Sequence, residues 1–182
     1  MRTRATVLTF VLATVLALAC GGSDAAPADP WVLRPDRLGP VPLGAPLAAA
    51  EAALGTALTV AYADFETCDY VSTPAMPPGT ALMVLRDSVG RPSFVERADV
   101  DSAGIRTAEG AGVGDTEARV LALYGPRARV TPHPYDGPEG HYVTVSVPGD
   151  TTRLLIFETD GRVVTSFRAG RRPAVEYIEG CA

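Results

Sequence analysis

The stretch TPHPYDGPEGH, residues 131–141, holds both histidines of the chain, His133 and His141, with two carboxylates, Asp136 and Glu139, between them. Imidazoles and carboxylates ligate divalent metals and carry protons in catalysis. Two readings follow. Either these four residues gather around an ion or a proton, or the stretch is a loop whose proline and glycine content is what a turn requires. In the second reading Tyr135, at the loop's tip, is the better functional candidate, because loop aromatics anchor partners.

Elsewhere the chemical inventory is thin. The chain has no G-x-S-x-G, Walker loop, H-E-x-x-H or C-x-x-C. Its acidic residues are numerous, but no spacing singles out a catalytic pair of carboxylates. Arg168, Arg171 and Arg172, in FRAGRR, form the one basic cluster. That cluster is either a patch for an anionic partner or headgroup, or the solvated end of a hairpin. The expectation is therefore a protein that is not an enzyme and carries no cofactor or metal.

An internal repeat supplies the elements that must position these residues. GAPLAAAEAALG (44–55) and GDTEARVLALYG (114–125) superpose at an offset of 70 residues, each bounded by glycines eleven apart. The same offset carries Glu109-Gly110 onto Glu179-Gly180, and an offset of 71 carries Gly90-Arg91 and Arg97-Ala98 onto Gly161-Arg162 and Arg168-Ala169. Taken in order, these matches indicate a duplicated unit of about 70 residues. In the second copy Asp115 is placed to cap a helix beginning Thr116-Glu117, where carboxylates suit the positive end of the dipole. In the first, Pro46 suits the first helical position, whose N–H has no partner. Both helices stop at a glycine, Gly55 or Gly125, and Pro126 prevents continuation. Helices this short need a sheet to lie on.

After each helix the apolar period changes to two. In HYVTVSV the residues Val143, Val145 and Val147 share one face. TRLLIF and RVVTSF follow, joined through Asp160-Gly161, a favoured hairpin turn. The first copy supplies ALTVAYA, CDYVS, ALMVLR and SFVERADV in the same order. The predicted fold class is α+β: two tandem units (about 38–110 and 111–182), each a short helix on a four-strand antiparallel meander, sharing one sheet. On this frame residues 131–141 span the first hairpin loop of the second unit, Tyr124 is a core residue, and Trp31 pins the first segment.

The chain opens with Arg2 and Arg4, then runs uncharged and mostly apolar from Ala5 to Ala19, ahead of Cys20-Gly21-Gly22. That run is shorter than the roughly 20 residues a membrane span needs, and reads as a signal peptide over residues 1–19. The small residue directly before Cys20 resembles the lipobox of bacterial lipoproteins. The resemblance implies that Cys20 is lipidated, that the membrane is held through that lipid, and that the protein is extracytoplasmic, on the outer membrane if the host is Gram-negative. Residues 21–30, GGSDAAPADP, read as a flexible tether, leaving a globular domain over 31–182.

Losing Arg2 and Arg4 with the leader takes the formal charge from −5 to −7. An acidic domain offers little to a phosphate backbone, which argues against nucleic acid. Export leaves Cys68 and Cys181 in an oxidising compartment, where an even pair usually forms a disulfide; two free thiols are the alternative.

The tandem arrangement of G-x-x-x-x-G, short helix, terminal glycine and meander resembles the β-lactamase-inhibitory-protein architecture. One copy is similar to the small lipoprotein of the outer-membrane barrel-assembly machine. The likeness spans residues 38–180 and implies a non-catalytic module that binds a protein of the cell envelope. The alternative is a small-ligand or metal-binding lipoprotein that uses the sheet face and the 131–141 loop.

Overall fold

Strands of alternating polarity must bury one face, and helices of two turns must be held by what they cover. The computed structural model describes residues 31–62, 67–135 and 137–181. The leader, Cys20, the tether and Asp136 lie outside the described residues.

Among the described residues two helices, α1 (Leu47–Leu54) and α2 (Glu117–Tyr124), accompany eight principal strands. The strands are β1 (Thr59–Tyr62), β2 (Cys68–Ser72), β3 (Thr80–Arg86), β4 (Pro92–Val100), β5 (Ala128–Pro132), β6 (His141–Val147), β7 (Asp150–Thr159) and β8 (Val164–Arg171). The fold is thus mixed α+β, mostly strand, with a large antiparallel sheet. Its order is β5-β6-β7-β8-β4-β3-β2-β1, and the short strand Ala45–Pro46 adds to β4. Pairing of β4 with β8 sets Asp99 opposite Arg168 and Arg97 opposite Gly170. Gly170 permits this approach, since a Cβ there would run into the Glu96 carbonyl.

A second, four-stranded sheet had no counterpart in the sequence reading. It joins Val32–Arg34, Arg37–Leu38, Val41–Pro42 and Arg106–Thr107, with the first and last parallel. Three of its strands are two residues long, too short for any alternation to register.

Helix starts fall one residue later than expected. Thr116, not Asp115, is the N-cap of α2, and its hydroxyl accepts the Arg119 amide at 3.2 Å. Asp115 instead accepts the Gly112 amide at 3.0 Å and a hydrogen bond from Arg106 at 2.5 Å. Pro46 is the N-cap residue of α1, and Gly55 closes that helix in the left-handed conformation (φ 67°). Gly125 leads into a single 3-10 turn, Gly125–Arg127, containing Pro126.

The main core lies between the helices and one sheet face. Val71, Leu82, Val84, Val95, Val143, Val145, Leu155, Phe157 and Phe167 line it, and Phe157 stacks on Phe167 with centroids 5.5 Å apart. Tyr124 is buried there, its hydroxyl donating to Thr107 at 2.7 Å, and Trp31 packs against the cluster.

Candidate functional site

The opposite face of the sheet is covered by the C-terminal segment, residues 172–181, which crosses it as a strap. An irregular strap must still satisfy its carbonyls. Two arginines projecting from neighbouring strands do so. Arg97, on β4, donates from Nη1 to the carbonyls of Tyr177 (2.7 Å) and Ala174 (3.4 Å). Arg168, on β8, donates from Nε to the Val175 carbonyl at 2.8 Å. Both are buried, 5% and 3% exposed, so each charge needs a partner. Asp99 receives Arg97 Nε at 2.8 and 2.9 Å and Nη2 at 2.5 Å. Glu158, on β7, accepts from Arg168 Nη1.

Apolar contacts complete the strap. Val175 packs with Tyr142, Leu154 and Ile156, while Ala174 and Cys181 pack with Cys68 and Met83. Cys68 and Cys181 are placed as a disulfide pair with Cα atoms 5.4 Å apart, tying the strap's end to β2.

Beside the strap lies an open cleft of about 480 Å³, within the size range of small-ligand sites. Tyr70, Arg97, Asp99, Glu158, Arg168 and Ile178 are among its lining residues. Burial pushes the Tyr70 hydroxyl up to about 12. Burial also pushes the Asp99 carboxyl up, against the pull of Arg97. Arg97 spends its donors on Asp99 and two strap carbonyls, and Arg168 gives Nε to the Val175 carbonyl and Nη1 to Glu158 while lying over the Tyr142 ring. The carboxylates, by contrast, keep an open side, with Asp99 and Glu158 side chains 25% and 22% exposed. The cleft therefore favours donors and cations over anions.

The residues singled out in the sequence are distributed across the two faces. His133 is buried on the strap face. Its ring lies 4.5 Å from that of Tyr142, its Nδ1 accepts the Tyr135 amide at 3.1 Å, and its Nε2 is 3.8 Å from Glu158. His141 is on the helix face, where its Nδ1 meets Glu117 at 2.9 Å. The two histidines do not share a centre. Glu139 is exposed on the loop. Tyr135 is 64% exposed, and its hydroxyl donates to Glu179 of the strap.

Nor do the three arginines form one patch. Arg168 is buried rather than at a solvated hairpin end, because Glu158 and the strap enclose it. Arg171 meets Glu96 at 3.4 Å and Arg172 meets Glu176 at 3.3 Å, both near the surface.

Sequence reasoning passed over Tyr70, Arg97, Asp99 and Glu158. A signal was present: Arg97-Ala98 and Arg168-Ala169 lie 71 residues apart in the sequence, each an arginine interrupting a strand.

No known protein family, curated protein or solved structure matches this chain.

Proposed function

We propose that the protein is a lipid-anchored, extracytoplasmic module of the cell envelope that binds another protein and performs no catalysis. The observation that carries this reading is the pairing of Tyr135 and Ile178, 64% and 46% exposed, on the strap face. Both line one concavity with Thr67 and Tyr177. Large exposed apolar side chains side by side, braced by the Tyr135–Glu179 hydrogen bond, suit a partner-binding surface. The anchor is the lipobox at Cys20; Cys20→Ala should abolish labelling of the protein by radioactive palmitate.

The same proposal takes the chain as two copies of one unit sharing the sheet, after the manner of β-lactamase-inhibitory protein. Three correspondences support it. Strands run inward from either edge to the β4–β8 seam. Gly44 N–H donates to the Val95 carbonyl at 2.6 Å, and Gly114 N–H to the Val164 carbonyl at 2.9 Å, just before each helix. Arg97 and Arg168 flank the seam and both grip the strap.

Photo-crosslinking from position 135 in intact envelopes tests the function. A discrete protein adduct, lost when the crosslinker is moved to exposed Ala52 on α1, is the expected result. Absence of any protein adduct at 135, with a small molecule co-purifying instead, would favour the ligand-binding alternative, which draws on the cleft beside the strap.

A further inference from the structure

The cleft beside the strap has a composition that selects one kind of occupant. Four carboxylates line it, Asp99, Asp101, Glu158 and Glu179, against two guanidinium groups, Arg97 and Arg168. Those two guanidinium groups are turned inward and held by Asp99, Glu158 and three strap carbonyls. What remains for a visitor is carboxylate and phenol oxygen at the base. Ala61, Ala81, Val100, Phe167 and the exposed Ile178 supply the apolar part of the lining. A volume of about 480 Å³ exceeds what a single water or ion fills.

A long side chain that is apolar along its stem and cationic at its tip matches this lining. Guanidinium fits better than ammonium. It is planar, weakly hydrated, and presents a fork of donors to carboxylate edges, and it packs on an aromatic face such as Tyr70. We infer that the cleft formed by Tyr70, Asp99, Glu158 and the strap residues Ile178–Gly180 is the socket for an arginine side chain of the partner protein. The inference rests on the protein-binding reading above and supplies its anchor. Arginine is among the residues enriched at interface hot spots. Burial already disfavours the Asp99 carboxylate, so an arriving cation relieves a cost that the free protein carries.

The test uses the full chain, purified in detergent, with methyl resonances of Ala81, Ile178 and the helix-face Leu82 and Val84 observed by NMR. The probes are acetyl-Gly-Arg-Gly-amide and its citrulline counterpart, which keeps the shape and loses the charge. The arginine peptide should shift Ala81 and Ile178 and leave Leu82 and Val84 unmoved. The citrulline peptide should bind at least about tenfold more weakly, the scale of a charge-assisted hydrogen bond. Ala81→Leu, which fills the cleft from a half-buried strand position, should remove the response while the Leu82 and Val84 signals show an intact core. Asp101→Asn, at an exposed site, should weaken binding about twofold or more.

Equal binding by both peptides, shifts that persist in Ala81→Leu, or no shift at saturating peptide would each overturn the socket. A response to spermidine but not to the arginine peptide would assign the cleft to free polyamines and overturn it as a partner's anchor. The socket and the function fail separately. A crosslinked partner that Ala81→Leu captures equally well removes the socket and keeps the function, while peptide binding without any captured partner does the reverse.

Discussion

The two faces of the large sheet are built on different principles. On the helix face, valines, leucines and phenylalanines close over one another, and stability comes from apolar area removed from water. On the strap face, two buried arginines, two carboxylates and a strap without regular strand structure are held by hydrogen bonds, with smaller apolar clusters around the disulfide pair and Val175. Burying ion pairs gains little net stability, because desolvation offsets the attraction. The comparison teaches that the helix face holds the fold together, while the strap face is organised to present particular groups. That is where recognition is expected.

The largest effect should come from the helix face. Phe157→Ala, at a fully buried ring, should cost about 3–5 kcal/mol in urea unfolding. A loss under about 1 kcal/mol would mean that this face is not the principal core.

Arg168→Met comes next, with a cost of about 3 kcal/mol, because Glu158 is left charged and unmatched. The double change Arg168→Met with Glu158→Leu should recover most of that loss. Without recovery, the pair contributes to stability in its own right and the contrast between the faces weakens.

Cys181→Ser should cost about 2–3 kcal/mol through the closed loop of the 68–181 pair. Hydrogen exchange should then quicken in residues 174–180 and stay slow in α1 and α2. Uniform acceleration would show that the faces do not separate energetically. Mass analysis of non-reduced peptides should first find Cys68 and Cys181 joined.

The smallest and most discriminating effect is in the acid range. Gly112 and Arg106 hold the Asp115 carboxyl, beside α2, below its ordinary 3.8 against the effect of burial. Its contribution is complete above that value and is lost as the pH falls. Burial raises the Asp99 carboxyl above 3.8, so its contribution is complete below that value and is lost as the pH rises through its folded value. Between about pH 3 and 6, the wild type's advantage over Asp115→Asn should therefore grow with pH, and its advantage over Asp99→Asn should shrink. Slopes of the same sign would erase the distinction.

Legibility in the sequence follows the same division. The alternation in HYVTVSV places Val143, Val145 and Val147 on one face, and the structure buries the first two but leaves Val147, past a register shift, half-buried. The glycine stops of both helices were visible as well. Helix starts slipped by one residue because Asp115 and Thr116 are both good caps, and only the fold decides which one turns to Arg119. The strap was not legible, since residues 172–181 have no apolar period and carry Arg172, Glu176 and Glu179. Arg168 reads as part of a solvated or partner-facing cluster because arginine is usually exposed; its burial depends on Glu158 and on the Val175 carbonyl of the strap. His141 lies in phase with Val143 in HYVTVSV and shares its helix face, whereas nothing in TPHPYDGPEGH told which side His133 faced.

The central claim, that the strap face is the partner-binding face, is tested most directly by hydrogen-exchange footprinting of the full chain with its crosslink-identified partner. The account predicts slowed exchange across residues 133–135, 137–140 and 174–180, with α1 and α2 unchanged. Protection confined to α1, α2 or the small sheet, with the strap and loop unaffected, would contradict it.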